Sequence, residues 1–498
     1  MDVFNSLLKL AGVDVYLGLV WVGLASCAVT AAALYRWGRG FALAGFLFNG
    51  GLAGFQFLTS GFHFEDYQAD LAWKSIPLAM FVTQRGLLYA IPAGLFLLSS
   101  WRARFFPDAE QKNVRPLPFL TELLLYSTLP LFHLHTFIFL SFLLGCWIVM
   151  AAARRFSTAE FLPAIPLEAP VKLVLLSIIP ATILVLLLTG GFKAGSMIHL
   201  VGPASSSKSW DWEYGEQPQF DAWVQRQEPH FGFIASVLGH FANWLVNYGA
   251  LPLFVLTLFY AVFMKRRDAA YVRAGAFVFP ATLMFLIACV VMFARWDWDN
   301  TKIILWCYLA VLPFLWEQLI AREQLPLRAV CCVMLYFSGF ISLFGGIDGT
   351  HTGYEPFTEL LSGETYVTTR DDLDSTADAV RGLPPTAIFA GFATYNHPLL
   401  LEGRKMVEGY AGHLDSNGID YEDNLALLAS LLNGEPGWRE TARKLHARYL
   451  FWGKLEEGGY PDSAKPWEDE CLLVAQGDFG KIYDLETPAV PKPAGPKQ

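Results

Sequence analysis

The sequence predicts a mainly α-helical fold, a polytopic transmembrane helix bundle of about nine or ten membrane segments followed by a small α/β domain. Three observations predict it. The composition is 54% hydrophobic and only 16% charged, whereas soluble proteins carry about 25% charged residues. The apolar residues are grouped into runs close to the ~20 residues that a helix needs to cross a bilayer. After about Asp348 these runs end, and short strand and helix patterns replace them.

The apolar runs, taken in chain order, give the membrane segments. The run 76–101 contains Gln84-Arg85-Gly86 and also Pro92, which is expected to kink the helix. The run 117–153 is too long for one span, and Pro130 with His133-x-His135 divides it into two helices. The predicted segments are 15–34, 41–59, 76–101, the pair within 117–153, 171–189, 243–264, 277–293, 303–319 and 330–343.

The placement of Lys and Arg orients the spans, because cytoplasmic loops are enriched in these residues. Basic turns near 36–39, 102–115, 154–155, 265–267 and 322 belong on the cytoplasmic side under this rule. The resulting domains are a membrane domain at 1–346 with outer loops 61–75, 191–237 and 295–302, an extracytoplasmic α/β domain at 347–487, and a disordered tail at 488–498. Multi-pass insertion in a membrane, with the C-terminal domain on the extracytoplasmic side, is expected from this pattern.

The tail beyond the last span shows the patterns of a compact α/β domain. Strands are predicted at 386–390 and 449–453, with a closing pair at 472–474 and 481–483. Helices are predicted at 424–432, ended by Asn433-Gly434, and at 438–448. The Pro- and Lys-rich residues after 487 have the composition of a disordered segment.

Composition also excludes several classes of partner and site. The formal net charge is −9, and no basic face is present to bind phosphates over any length, so nucleic acid is not an expected partner. Six of the seven cysteines lie in apolar runs, and no Cys-x-x-Cys pair occurs, so a structural zinc or iron–sulfur site is not expected. The first residues lack the basic region of a cleavable signal peptide.

Acidic residues recur in the loops that the orientation places outside. Glu65 and Asp66 lie in the first, and Asp297 and Asp299 lie in the Trp-rich loop 295–302. A partly desolvated carboxylate can act as a general base, and a pair can hold a divalent cation, magnesium or manganese, against a phosphate. The alternative is an ordinary solvated loop with tryptophans at the membrane interface. His133 and His135 could ligate a metal only from a turn, and otherwise serve the turn itself.

Basic, aromatic and amide side chains near these acids are candidates for substrate binding. Arg85 lies within a span, where an arginine is costly unless it is paired or faces a wet cavity. In the tail, glycine-rich strings surround two further candidates, and glycine permits tight turns near a ligand. The predicted substrate-binding residues are Arg85, Arg295, Lys302, Trp298, Asn300, Trp210, Arg404 and His413.

Several strings together resemble bacterial membrane proteins related to C-type glycosyltransferases. They are Trp73-Lys74-x-x-Pro77-Leu78, Gln84-Arg85-Gly86, Leu129-Pro130-x-x-His133-x-His135, Trp298-Asp299-Asn300-Thr301-Lys302, Asn396-His397-Pro398, Gly403-Arg404 and Gly409-Tyr410-x-Gly412-His413. The resemblance implies transfer of a sugar from a polyprenyl-phosphate-linked donor to an extracytoplasmic acceptor in the cell envelope, with inversion at the anomeric carbon. It also implies location in a bacterial inner (cytoplasmic) membrane. Asp66 is the expected base, and Arg85 or Arg295 would meet the donor phosphate.

Such enzymes typically place the base in a loop after their first span, whereas the first outer loop here follows the second. Either Glu65 or Asp66 takes that role, or a segment is missing that a partner membrane protein supplies. Two alternatives therefore stay open beside the enzyme: a non-catalytic subunit or scaffold that binds a lipid-linked substrate, and a lipid or glycan transporter. Membrane lipids are partners in every case.

Overall fold

The computed structural model consists of two compact units, which are considered separately. The first comprises Val20–Phe192 and Ser196–Tyr354, and the second is built mainly from Glu355–Gln498. The structure describes residues 7–69, 71, 73–82, 84–107, 115–156, 162–188, 198–200, 230, 232–294, 297–347, 358–361, 364–367, 370–394, 397–416 and 419–489.

The first unit is a helix bundle, as the fold class predicted. Its helices are α1 (Val15–Leu47), α2 (Arg85–Phe105), α3 (Phe119–Phe132), α4 (Leu134–Phe156), α5 (Glu168–Leu188), α6 (Phe233–Tyr248), α7 (Leu251–Met264), α8 (Ala269–Ala288), α9 (Asp297–Gln318) and α10 (Leu325–Ile347). A 3₁₀ helix at Ala53–Leu58, a π-helical turn at Ile76–Val82 and a two-residue strand pair, β1 (His199–Leu200) with β2 (Val291–Met292), complete it.

Six helices in the described part of the chain are long and apolar enough to cross a membrane, or up to eight if two bent pairs each count as one span. The sequence predicted nine or ten. One bent pair is α6 with α7, predicted as the single span 243–264, which turns by 107°. Gly249 lies between them with φ +61°, a backbone region that favours glycine.

Two further membrane predictions differ in detail. The predicted span 41–59 is not one helix, because helical backbone ends at Leu47. Within α1, Gly38 and Arg39 have non-helical angles and separate the two predicted spans at their basic turn. In the run 76–101 the break falls between Val82 and Arg85, and α2 continues as a helix through Pro92.

Glycines after α1 allow the chain to lie directly against α10. A Cβ at Gly339 would be 2.2 Å from the carbonyl oxygen of Asn49, and a Cβ at Gly345 would be 2.3 Å from the backbone of Glu65. The buried Asn49 side chain accepts the Ile76 N–H and donates to the Lys74 carbonyl. These backbone contacts fix the loop that carries Glu65 and Asp66 to the C-terminal half of α10.

The aromatic core aligns α4 with α9. The buried indole of Trp306, near the middle of α9, donates to Thr136 Oγ1 in the first turn of α4. Further along, Trp147 donates to the Ala276 carbonyl and packs on Phe277, which in turn packs on Phe314. Both helices therefore begin at the same end of the bundle and run parallel.

The second unit contains a five-stranded mixed sheet in the order β6-β5-β7-β9-β8. Strands β5 (Ile388–Ala390), β6 (Lys405–Met406) and β7 (Ala447–Trp452) are parallel, and β8 (Cys471–Gly477) and β9 (Gly480–Pro488) form an antiparallel hairpin beside β7. The remaining elements are β3 (Thr358–Leu361), β4 (Glu364–Val367), α11 (Arg370–Val380), α12 (Pro398–Leu401), α13 (Ala411–Ser416), α14 (Glu422–Leu432), α15 (Trp438–Lys444), α16 (Lys454–Gly459) and α17 (Trp467–Glu470).

The core of this unit is carried by side chains of the central strand β7. Leu450 and Trp452 pack with one buried cluster, which includes Trp467 of α17 and residues of α14. Tyr449 and Phe451 pack with a second cluster around Phe389 of β5. Alternate residues of β7 therefore face two buried clusters, as expected for a strand covered on both faces.

Candidate functional site

Polar side chains collect at the bundle end where α4 and α9 begin. His133 lies in the turn between α3 and α4, and His135 is the second residue of α4. Asp299 and Lys302 lie in the first turns of α9, and Lys302 is within electrostatic range of both imidazoles. We refer to His133, His135, Asp299 and Lys302 as the polar cluster.

The charged half of the polar cluster is an ion pair within one helix. Lys302 Nζ bonds to Asp299 Oδ1 at a spacing of three residues, and their side chains are only 15% and 10% exposed. The N-terminal end of a helix favours a carboxylate, because the unpaired backbone N–H groups there carry partial positive charge. The ammonium group thus offsets a carboxylate at the apolar end of a span, where a lone charge would be costly.

Asn300 holds the start of α9 against the end of α8. Its side chain is fully buried and donates to the carbonyls of Ala288 and Val291, at 2.9 and 2.8 Å. Its oxygen accepts the Phe293 N–H at 2.9 Å. Asn300 was predicted to bind substrate, but these three bonds engage both the oxygen and the nitrogen of its amide. The bonds hold the first turn of α9 in place and thereby position its neighbours Asp299 and Lys302.

The imidazoles form the uncharged half of the polar cluster. The ring centroids of His133 and His135 are 5.4 Å apart, and the planes are inclined by 42°. Both Nε2 atoms are shielded from solvent and, within the described residues, have no hydrogen-bond partner. Burying a polar nitrogen without a partner costs about 1–3 kcal/mol, so two adjacent ones indicate a place that a ligand completes.

Three of the sequence strings meet at this end of the bundle. A Cβ at Gly86 would lie 2.3 Å from the Phe132 carbonyl oxygen and 3.7 Å from Cδ2 of His133. The string Gln84-Arg85-Gly86 therefore lies beside the His133-x-His135 turn, which in turn adjoins Asp299 and Lys302. For Arg85 the structure describes the backbone at the first position of α2.

Asp66 and Glu65 occupy a different place, against the C-terminal end of α10. Asp66 is 7% exposed, and its Oδ1 accepts the Gln68 N–H at 3.1 Å. Its Cβ is 4.0 Å from the position that a Cβ on Gly346 would take, whereas Glu65 is exposed. Its role as base stays a prediction.

The other predicted site residues stay untested. The backbones of Asp297 and Trp298 begin α9, and that of His413 lies in α13, without described side chains. Arg295 and Trp210 lie outside the described residues.

Arg404 has a local task in the second unit. Its guanidinium donates to the carbonyls of Leu383 and Pro384, each at 3.2 Å, and to the carbonyl of Val380 at the end of α11. The observed contacts of this predicted substrate ligand are thus with the backbone of its own unit.

Two residues of the site could not be recognised in the sequence. Thr136 and Trp306 are fully buried, and their hydrogen bonds join the His133 ring to α9. Each looks like an ordinary member of an apolar run, and they are 170 positions apart. The only local signal is the spacing of three residues between His133 and Thr136.

The described side chains do not provide a metal centre. Within the described residues, no group of three or more His, Cys, Asp and Glu is placed to hold a metal ion. Because the side chain of the predicted ligand Asp297 is not described, the magnesium or manganese ion stays a prediction.

Comparisons with known proteins found similarity at the level of structure alone. No family model matches the chain, and no curated protein sequence matches it. Two solved structures of the oligosaccharyltransferase of Archaeoglobus fulgidus are similar to it. The complex with zinc and sulfate has 11% identity and a TM-score of 0.37, over 87% of this chain and 55% of that chain. The form tethered to an acceptor peptide has 12% identity and a TM-score of 0.27, over 93% of this chain and 52% of that chain.

The chain thus spans about half the length of these structures, and similarity at this level does not establish a shared fold or reaction.

Proposed function

We propose that the chain is a membrane glycosyltransferase that moves a sugar from a polyprenyl-phosphate-linked donor to an extracytoplasmic acceptor, with the polar cluster at the donor phosphate. The observation that carries the proposal is the pair of adjacent imidazole Nε2 atoms, buried and without partners in the described chain, beside the Asp299–Lys302 ion pair. An ammonium group and N–H donors are the groups that bind phosphate oxygens in proteins.

The surroundings of the polar cluster support a lipid-linked ligand. The cluster lies at the ends of helices α4 and α9, which are both apolar enough to cross a membrane. A phosphate at such a helix end can meet the polar groups while its polyprenyl chain stays in the hydrocarbon. Arg85 begins α2 beside His133, so a further cation near the phosphate is part of the proposal. Asp66 is proposed as the base, acting on the acceptor.

The test is binding of polyprenyl monophosphate to the full chain in lipid nanodiscs, followed by transfer from a radiolabelled polyprenyl-phosphate sugar. Lys302→Gln removes the only described ammonium group of the cluster and is expected to weaken phosphate binding about 10- to 100-fold, since a hydrogen bond to a charged group contributes ~1.5–3 kcal/mol. The double change Asp299→Asn with Lys302→Gln leaves no lone buried charge and should weaken binding as well.

Lys265→Gln is the matched control. This lysine follows α7 and contacts Tyr271 at the start of α8, away from the polar cluster. Equal loss with Lys265→Gln would show that only bulk charge is sensed, and unchanged binding with Lys302→Gln would remove the cluster from the phosphate site. Binding with turnover establishes the enzyme, whereas binding without turnover favours the non-catalytic subunit.

A further inference from the structure

A chain of hydrogen bonds begins at Trp306 and ends on a histidine ring of the polar cluster. The indole Nε1 of Trp306 is 2.7 Å from Thr136 Oγ1, and both side chains are fully buried. An indole N–H can only donate. The Thr136 hydroxyl therefore accepts this bond, and its own hydrogen is free for another partner.

That partner is Nδ1 of His133. Thr136 Oγ1 lies 2.8 Å from Nδ1, and the backbone N–H of Thr136 donates to the same nitrogen at 3.3 Å. Because a backbone N–H can only donate, Nδ1 must be the unprotonated, accepting nitrogen. The Thr136 hydroxyl then also donates to it, and the single ring proton of the neutral imidazole resides on Nε2.

We propose that Thr136 and Trp306 are positioning residues that fix His133 as its neutral Nε2–H tautomer, which makes His133 a permanent hydrogen-bond donor to an anionic oxygen in the polar cluster. The proposal rests on the proposed function for the identity of that oxygen, a phosphate oxygen of the donor. It adds the protonation state of the His133 ring and the roles that this state permits.

A fixed Nε2–H excludes two other roles for His133. A metal ion needs a lone pair, and here one nitrogen carries the proton while the other accepts two hydrogen bonds. A general base needs a free lone pair as well. The site is therefore selective for an anion over a cation. Lys302 adds a positive charge on the same side, and its pairing with Asp299 offsets the carboxylate that would otherwise repel the ligand.

The tautomer can be measured without any turnover. The full chain, labelled with ¹⁵N-histidine and placed in nanodiscs, is examined by long-range ¹H–¹⁵N correlation NMR, and His133→Gln assigns the signal. We expect an unprotonated Nδ1 and a protonated Nε2. Inorganic phosphate should shift the Nε2 signal, and Mn²⁺ at the same concentration should not selectively broaden the ring. A proton on Nδ1, or selective broadening by Mn²⁺, would overturn the inference.

Matched variants separate positioning from mere packing. Thr136→Val keeps the shape of the side chain but removes the hydroxyl, and it should weaken phosphate binding about tenfold with a mixture of His133 tautomers. Thr136→Ser keeps the hydroxyl, so it should retain both the phosphate affinity and the single Nε2–H tautomer of the wild type. Equal behaviour of the Val and Ser variants in both readouts would refute the positioning role. The two proposals can fail separately. If His133 is the Nε2–H tautomer and responds to phosphate, but the chain transfers no sugar, only the proposed function is refuted. If the chain transfers sugar and His133 carries its proton on Nδ1, only this inference is refuted.

Discussion

A buried carboxylate in the second unit, Glu456, gives a prediction whose size can be worked out from the structure. Its Oε1 accepts the Phe392 N–H at 2.7 Å and the Nε2–H of His397 at 3.0 Å, and its Oε2 accepts the Gly453 N–H at 2.9 Å. Both side chains are fully buried. His397 Nδ1 accepts the Leu399 N–H, so the ring proton is on Nε2. Glu456 thereby joins the loops that follow β5 and β7.

The change Glu456→Gln keeps the volume and replaces one accepting oxygen by a donating NH₂ group. In either amide orientation the NH₂ group faces an N–H, so at least one hydrogen bond to a charged acceptor is lost, about 2 kcal/mol. The remaining bonds go to a neutral acceptor and weaken by about 0.5–1 kcal/mol each. We expect the free energy of unfolding of this unit to fall by about 3–4 kcal/mol.

The assay is hydrogen–deuterium exchange of the full chain in detergent, followed at peptides that contain Phe392 and Gly453. A loss of about 3 kcal/mol accelerates exchange more than 100-fold when exchange reports the opening equilibrium. The neighbouring change Glu457→Gln is the control, because Glu457 is exposed. If Glu456→Gln exchanged no faster than Glu457→Gln, the carboxylate would not hold the two loops, and the reasoning would be refuted.

Two further predictions concern stability. Gly339→Ala should lower the melting temperature of the detergent-solubilised chain, because its Cβ would lie 2.2 Å from the Asn49 carbonyl oxygen. Gly145→Ala is the control and should not lower it, because no neighbouring atom lies within 4 Å of the added Cβ. Equal melting temperatures of the two variants would contradict the close approach at Gly339. Partial burial alone would raise the pKa of Glu468, but the hydrogen bond and charge of Lys481 and the Tyr483 hydroxyl lower it below its usual value. This carboxylate therefore stabilises the unit at neutral pH and loses its effect as the pH falls below about 4. Lys481→Gln should be less stable than the wild type in chemical denaturation at pH 7 and nearly equal at low pH; a difference independent of pH would exclude the ion pair as its cause.

The local pattern predicted several elements of the second unit, although the helix predicted at 438–448 ends at Lys444 and the helix at Arg370–Val380 was not predicted. The strand predicted at 449–453 is β7 at Ala447–Trp452, and the predicted closing pair is the hairpin of β8 and β9. The helix predicted at 424–432 is α14, Glu422–Leu432. Alternation and turn residues are local signals, so they reveal such elements. The strand order could not be predicted, because β5 pairs with β7 across more than fifty residues and nothing local encodes that partner.

Hydropathy predicted a membrane span at 41–59 that the structure does not contain as one helix. The segment after Leu47 is as apolar as a span, but its glycines serve close backbone contact: a Cβ at Gly51 would lie 1.9 Å from the Val246 carbonyl oxygen. Glycine has the same hydropathy in either role. In the run 76–101, the helix break lies between Val82 and Arg85, ahead of Pro92, and α2 continues past this proline.

The candidate site shows the same division between local and distant information. The charged residues of the loop 295–302 predicted a site role for Asp299 and Lys302, and the spacing of His133 and His135 indicated a turn. The hydrogen bonds of His133 with Thr136 and the Asp299–Lys302 ion pair are local, each over three residues. The bond from Trp306 to Thr136 spans 170 residues, and nothing local in the sequence encodes it.

Several polar side chains at this end of the bundle are engaged in structural hydrogen bonds. The amide of Asn300 uses both its ends on the backbone, and the indole of Trp306 and hydroxyl of Thr136 are used in sequence to reach His133 Nδ1. The Nε2 atoms of the adjacent His133 and His135 rings are buried and have no hydrogen-bond partner among the described residues, and they lie beside the ammonium group of Lys302. Because His133 Nε2–H is a donor without an acceptor in the described chain, we propose that an oxyanion completes it. A phosphate that carries a hydrocarbon chain would supply the oxyanion and would place its apolar tail at this helix end.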